Sequence, residues 1–401
     1  MKRILFVNLF TVDPQIGGVE RVTTILTKEF LKRGFDVLYL SLAHHKDENI
    51  ERCAAPQYFF PEDKIYSDGN ILFYNNFITT KNIDVVINQF GGYESSFLFL
   101  NIKPEIRRKI KVISVCHNRP IRDYGYLHKY AILPEPDKKT IKSYMETVIK
   151  IATFPVWWGY FRKKKRRDRY YRLLDFSVSH SDKFVVLSKD YISDVVGILG
   201  NTCDKNKLVC IANPNTYFPE EKFVLNNKQK QVLYVGRLSP AQKRPDILIK
   251  VWRKIYKQYP DWQLIFVGTG SLEKYLKKYA DKHRLNTVFF KGIADPLPYY
   301  KTASIFALPS IYEGFPMVLP EAMINSVVPI VFDSYGAARD IIPENTGIRV
   351  KPFDKKRFAE ALAMLMKNET LLADYRQNAR RHIKQFEAAK IADKYVQIIE
   401  Q

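Results

Sequence analysis

The chain has 401 residues, 46% hydrophobic and 14% aromatic, enough for two domains with full-sized cores and too apolar for a disordered segment. Its formal charge of +22 at pH 7 points to an anionic partner: nucleic acid, a membrane surface or an acidic substrate. No stretch reaches the roughly 20 consecutive apolar residues of a membrane-spanning helix. The four cysteines, Cys53, Cys116, Cys203 and Cys210, lack metal-ligand spacing and fit a reduced compartment without disulfides.

In chain order, MKRILFVNLF is basic and then apolar but has no small-residue cleavage site, so it reads as a first strand, Ile4–Leu9, and not as a signal peptide. A glycine-containing loop, Asp13–Gly18, leads into a helix over Val19–Arg33 that stops at Gly34. Strands are predicted at Asp36–Leu42, Ile83–Gln89, Lys111–Cys116 and Lys183–Leu187, with a helix over Lys189–Leu199. After a junction near Asn213–Asn227 the pattern repeats. Strands at Gln231–Val235, Gln263–Val267, Val288–Phe290, Ile305–Leu308 and Pro329–Phe332 alternate with helices near Pro245–Gln258, Ser271–His283 and Met317–Asn325. Past Phe353 the chain is helical to its end. Continuous apolar strands separated by helices predict an α/β fold of two doubly wound parallel sheets. Ligands of such sheets bind beyond the carboxyl ends of the strands.

The residues suited to chemistry follow predicted strands. In Leu308–Ser326, LPSIYEGFPMVLPEAMINS, a strand ends at Pro309, a loop holds Glu313, Gly314, Phe315 and Pro316, and a helix opens near Met317 and Val318. Pro320 is tolerable in a first turn. A helix start offers unpaired amides and a positive dipole end to a phosphate. Glu313 and Glu321, spaced E-x7-E, repel phosphate and suit hydroxyls, which they accept. A phosphate flanked by hydroxyl-bearing groups describes a nucleotide sugar, although two glutamates at this spacing can also be plain solvated surface. Gly17 and Gly18, in GGVER, permit close backbone approach to a ligand or simply make a turn. Arg237, directly after a strand, and Lys243, before a helix, would supply fixed cations for a diphosphate. Gly268 and Gly270 could admit a base or ribose, or form a structural turn. His117 ends a first-half strand.

EGFPMVLPEA resembles the signature of the retaining GT-B-fold glycosyltransferases of family 4, glycosyl transferases group 1, which include sucrose- and mannosyl-transferases; the likeness is to members of bacterial surface-polysaccharide type. GGVER, LYVGRLSPAQKRPDILIKVW and GAARDIIPENTGIRV are similar to further segments of that family. The resemblance implies a GT-B fold: two Rossmann-like domains facing a cleft, residues 1–215 for the acceptor and 216–385 for the donor, with 386–401 crossing back as a helix. It implies transfer of a hexose or N-acetylhexosamine from a nucleotide sugar, UDP being the first guess, to a glycan or polyprenyl-linked acceptor, with retention. Gly17, Gly18, Arg237, Lys243, Gly268, Gly292, Glu313, Gly314, Phe315, Pro316, Met317, Val318 and Glu321 would hold the donor. Glu313, Arg237, Lys243 and His117 would serve the reaction, His117 by positioning the sugar or stabilising the transition state. The family commonly has Lys-Gly where this chain has Lys243-Arg244-Pro245, and Lys243 is preferred over Arg244 for the diphosphate. Asn213-Pro214-Asn215 would end the hinge strand. With no convincing DxD pair, no metal and no cofactor are expected, and front-face substitution is implied.

Phe154–Phe176 is the part least explained by this fold. Eight of the eleven residues Arg162–Arg172 are Arg or Lys, including Arg162, Lys163, Lys164, Lys165, Arg166 and Arg167, and Trp157 and Trp158 stand beside them. Aromatic and basic residues together suit an anionic membrane interface, where each cation contributes about 1 kcal/mol. A solvated face and single-stranded nucleic acid are the competing readings. The expectation is a peripheral enzyme on the cytoplasmic face of the plasma membrane that does not bind nucleic acid. Its rivals are a nucleic-acid-binding protein, a silent sugar-nucleotide binder and a UDP-sugar epimerase of the same architecture.

Overall fold

The computed structural model describes residues 1–120, 145, 163–217 and 228–401, and for 163–167 the backbone only. Two units divide the chain: the first is Met1–Ile121, Lys164–Thr216 and Phe386–Gln401, and the second contains the described residues from Tyr217 to Gln385.

In the first unit the described elements run β1 (Arg3–Phe10), α1 (Gly18–Lys32), β2 (Asp36–Ala43), β3 (Gln57–Phe59), α2 (Asp68–Thr80), β4 (Val85–Asn88), α3 (Ser96–Phe99), α4 (Pro104–Arg107), β5 (Lys111–Cys116), α5 (Lys163–Ser179), β6 (Lys183–Val186), α6 (Lys189–Leu199) and β7 (Leu208–Cys210). Seven parallel strands lie in the order β3-β2-β1-β4-β5-β6-β7. The central strands are apolar throughout because helices cover both faces; Ile4 to Val7 are fully buried. Helix α2 starts where the Ser67 hydroxyl accepts the Asn70 amide, 3.1 Å away. It sets Tyr74, Phe77 and Ile78 into a core with Leu5, Leu40 and Val86.

The second unit contains β8 (Gln231–Val235), α7 (Pro245–Ile255), β9 (Gln263–Val267), α8 (Glu273–Lys282), β10 (Val288–Phe290), α9 (Leu297–Thr302), β11 (Ile305–Leu308), α10 (Val318–Ile324), β12 (Val328–Phe332), α11 (Ala337–Ile341), β13 (Ile348–Val350), α12 (Lys355–Lys367) and α13 (Glu369–Ile383). Its six parallel strands are ordered β10-β9-β8-β11-β12-β13. The last helix, α14 (Ala388–Glu400), belongs to the first unit and packs on α1. Tyr395 meets Phe30 edge-on at 6.3 Å, and Arg33 reaches Asp393 at 2.7 Å.

Two differences from the sequence reading have physical causes. The strand β3 was not expected; it has only three residues at a sheet edge, too few for a periodic signal. The basic stretch does not end as a separate insert: its second half is helix α5, which buries Leu173, Leu174 and Val178 in the first unit's core. Trp157, Trp158 and Arg162 lie outside the described residues, and Lys163, Lys164, Lys165, Arg166 and Arg167 form the first turns of α5. All four cysteines are free. Among the described residues no helix is long and apolar enough to cross a membrane.

Candidate active site

In each sheet the strand order reverses once, between β1 and β4 and between β8 and β11. The carboxyl ends of strands at such a reversal form the usual ligand crevice. In the second unit, the loops leaving β8 and β11 carry Arg237, Lys243 and Glu313.

These two loops are tied together. The Ile311 amide donates to Gln242 O at 2.9 Å, and the Gln242 side-chain amide donates to Tyr312 O at 3.1 Å and to Glu313 Oε2 at 3.0 Å. Lys243 Nζ stands 2.7 Å from Glu313 Oε1, with both side chains largely sealed from water. Low local polarity strengthens such a pair and also raises the cost of desolvating it. Arg244 is held elsewhere: its guanidinium forks onto the buried Asp246 at 2.8 and 3.0 Å, at the start of α7. Lys243, not Arg244, is therefore the cation presented beside Glu313. Arg237 is exposed, and its backbone is fixed by the buried Tyr234 hydroxyl, which donates to Arg237 O at 2.9 Å.

Gly314, Phe315 and Pro316 are buried, whereas Met317 and Val318 keep part of their surface open at the start of α10. That helix has seven residues, shorter than the sequence reading allowed. Glu321 is fully buried on it and accepts a bond from the Tyr300 hydroxyl at 3.1 Å.

Gly268 and Gly270 follow β9 and meet the segment after β8. The Gly236 amide donates to Val267 O at 3.0 Å and the Leu238 amide to Thr269 O at 2.8 Å. A Cβ on Gly268 (φ +125°) would lie 2.2 Å from Gly236 O, and one on Gly270 (φ +156°) 2.6 Å from Leu238 O. These glycines thus let one backbone lie against another and hold the Arg237 turn. Gly292 (φ +64°) has open space where a side chain would stand.

In the first unit, Gly17 precedes α1, and a Cβ there would meet the Glu20 carboxylate at 2.4 Å. Gly18 has nothing within 4 Å of that position. Glu20 is buried, and burial raises its pKa. His117 leaves β5 and sits 2.6 Å from Gln89 Oε1, at the end of β4. The protein packed around the ring lowers its pKa to about 4, so the imidazole is neutral at pH 7. Sequence reasoning missed Asn8 and Gln89, at the reversal between β1 and β4. Both are buried, and the Asn8 amide and Gln89 Nε2 bond to no other described residue. Buried polar atoms are normally satisfied, by protein, water or a ligand. No motif surrounds them; only the register Val7↔Asn88, one step earlier, brings them together. Among the described residues no cluster of His, Cys, Asp or Glu is arranged to hold a metal ion.

This architecture has known counterparts. The profile described as Glycosyl transferases group 1 matches residues 218–382, and that described as Glycosyltransferase Family 4 matches residues 16–214. The chain belongs to the family 4, group 1 glycosyltransferases. An uncharacterized glycosyltransferase of Haemophilus influenzae is 24% identical over 388 residues, 96% of each chain. The amylovoran biosynthesis glycosyltransferase AmsD of Erwinia amylovora is 31% identical over 52% of this chain and 59% of its own. A Campylobacter jejuni alpha-1,4-N-acetyl-D-galactosaminyltransferase, whose name gives a PP-undecaprenol-linked glycan as its substrate, is 25% identical over 51% of this chain and 60% of its own.

Among solved structures, Anabaena Alr3699/HepE in complex with UDP and glucose superposes with a TM-score of 0.72 at 16% identity, covering all of both chains. A Staphylococcus aureus TarM variant, in complex with Fondaparinux, alpha-GlcNAc-glycerol and UDP, gives 0.71 at 14% identity, again over all of both chains. The fold is GT-B, and the protein is a glycosyltransferase related to enzymes of polysaccharide biosynthesis.

Proposed function

We propose that this protein is a retaining, metal-independent glycosyltransferase that moves a hexose or N-acetylhexosamine from a UDP-sugar to a lipid-linked glycan at the cytoplasmic face of the plasma membrane. The observation that carries the reading is the Lys243–Glu313 pair, which bridges the two loops at the strand reversal of the second unit. A nucleotide sugar joins a dianionic diphosphate to a hydroxyl-rich ring. Lys243 and Arg237 would meet the diphosphate, and Glu313 would accept the sugar hydroxyls as Lys243 turns to the phosphate. The UDP bound by HepE and TarM supports this donor class, and the undecaprenol-linked substrate of the Campylobacter relative supports the acceptor class.

In the proposed step the acceptor hydroxyl attacks the anomeric carbon on the face that the diphosphate leaves. The carbon–oxygen bond to phosphate breaks, the new glycosidic bond forms, and the hydroxyl proton passes to the departing phosphate oxygen. Arg237 and Lys243 stabilise the charge that grows on the diphosphate. Neutral His117 would position the sugar and take no proton.

The test is donor consumption without added metal, across UDP-, GDP- and ADP-sugars, with and without a bacterial membrane lipid extract. Release of one nucleoside diphosphate, stimulated by the extract and lost in Glu321→Ala, is expected. No release from any donor, together with salt-sensitive oligonucleotide binding, would overturn the reading.

A further inference from the structure

The second sheet collects three cations at the end where its strands begin, opposite the crevice at their carboxyl ends. Lys228 stands just before β8, Ser304 directly precedes β11, and Asn325 closes α10 ahead of β12. Helix α13 packs on α10 and carries Arg376 and Arg380, one turn apart and so on one face. Lys228 Nζ donates to Tyr300 O at 2.9 Å and to Asn325 O at 2.5 Å, and Arg376 Nη2 donates to the Ser304 hydroxyl at 2.7 Å. That hydroxyl donates in turn to Gln229 O at 2.5 Å. All three cations are partly buried.

Their charges are unmatched. Lys228, Arg376 and Arg380 form no ion pair with any described residue. The exposed Glu369, at the start of α13, acts on Arg376 only from beyond ion-pair distance. Arg376 Nε and Arg380 Nη1 are buried atoms with no hydrogen-bond partner among the described residues. Both arginines lie close enough to Lys228 that, after burial, their charge helps to lower its pKa to about 7.

Buried charges are ordinarily paired and buried donors ordinarily used. A water could satisfy the two donors but would leave the three charges opposed. A multiply charged oxyanion accepts from both guanidinium groups and offsets all three charges together; planar guanidinium forks match its geometry.

We propose that Lys228, Arg376 and Arg380 form a binding site for inorganic phosphate, separate from the crevice at the strands' carboxyl ends. The bound anion ties the segment entering β8 to α13 and, through Lys228, to the end of α10.

Calorimetric titration of the full chain with inorganic phosphate, at constant ionic strength in a phosphate-free buffer, tests it. Chloride is the monovalent control, and UDP is the competitor for the crevice. Phosphate should bind saturably, and chloride should not replace it. Arg380→Gln should weaken phosphate binding about tenfold or more, and Arg380→Lys only a few-fold, since lysine keeps the charge and loses the fork. Phosphate salts stabilise many proteins by exclusion from the surface, so melting is read as a difference between variants. Phosphate should raise the Tm of the wild type more than that of Arg380→Gln. Without phosphate, Arg380→Gln should melt no lower than the wild type, because it gives up no hydrogen bond and relieves repulsion. Absence of saturable phosphate binding would overturn the proposal. Binding that UDP displaces and Arg380→Gln leaves intact would put the phosphate in the crevice and overturn it as well. An Arg380→Gln protein that melts lower without phosphate, yet binds phosphate as the wild type does, would give Arg380 a purely structural role.

Discussion

Lys243 Nζ and Glu313 Oε1 are 2.7 Å apart in a setting where each side chain keeps only about a tenth of its surface, 13% and 8%. Little water is left to screen the two charges from each other. Removing one partner of a sealed pair typically costs 3–5 kcal/mol, because the other charge stays buried. Lys243→Ala should lower unfolding stability by about 3 kcal/mol in urea melts, and the double variant Lys243→Ala/Glu313→Gln should recover most of that loss. Sugar transfer should fall by about 100-fold or more in either single variant. Single variants with wild-type stability and turnover would make the pair incidental.

The Gly268 contact predicts a difference between two glycines. At Gly268 a Cβ meets backbone, Gly236 O at 2.2 Å, and backbone cannot swing away. At Gly292 the same atom meets nothing within 4 Å, and only the left-handed φ of +64° opposes it. Gly268→Ala should cost about 3 kcal/mol and Gly292→Ala about 1 kcal/mol, the usual penalty of that conformation. Gly268→Ala should also weaken UDP binding, because Gly236 leads into the Arg237 turn. Equal costs at the two sites would contradict the backbone contact.

The strands beneath the site were legible because helices cover both faces and leave uninterrupted apolar runs such as Ile4–Val7 and Ile305–Leu308. Helix α2 was not. Its sequence DGNILFYNNFITT is rich in Asn, Thr and aromatic residues, which have weak helix propensity, and packing of Tyr74 and Phe77 decides its form. At the site, Glu313, Glu321, Arg237 and Lys243 were singled out by motif. Their partners were not: Gln242, Tyr300 and Gln89 have side chains of ordinary type, and their roles come from contacts 71, 21 and 28 residues away. Gly268 was legible as a special position but not for its physical reason, since the atom that demands glycine belongs to a different loop.

His117 gives a pH dependence with a defined sign. Its pKa is about 4 in the fold and about 6.5 in an unfolded chain. Between those values the unfolded state holds a proton that the folded state lacks, so stability rises with pH across that window. The contribution is complete above pH 6.5 and is lost as pH falls through 4. Urea melts between pH 4 and 7 should show a steeper acid loss in the wild type than in His117→Asn. Identical slopes would place a charged imidazole in the folded protein.

Lys228 links a distant end of the second unit to Glu321. Its Nζ donates to Tyr300 O at 2.9 Å and to Asn325 O at 2.5 Å, holding the ends of α9 and α10. From those same two residues, the Tyr300 hydroxyl donates to Glu321 Oε2 at 3.1 Å and the Asn325 side-chain amide to Glu321 O at 2.8 Å. Burial first, and then Arg376 and Arg380 nearby, lower the Lys228 pKa to about 7. An unfolded lysine titrates near 10.4, so between pH 7 and that value the unfolded chain holds the extra proton and stability rises with pH. The stability difference between wild type and Lys228→Met should therefore move in favour of the wild type from pH 7 to pH 10. At pH 7.5 the same variant should raise the donor KM several-fold while leaving most of kcat, because Tyr300 and Asn325, which contact Glu321, lose the anchor that Lys228 gives their backbone. A stability difference that stays flat with pH would mean that Lys228 keeps its charge throughout. An unchanged KM would mean that Glu321 holds its place without Lys228.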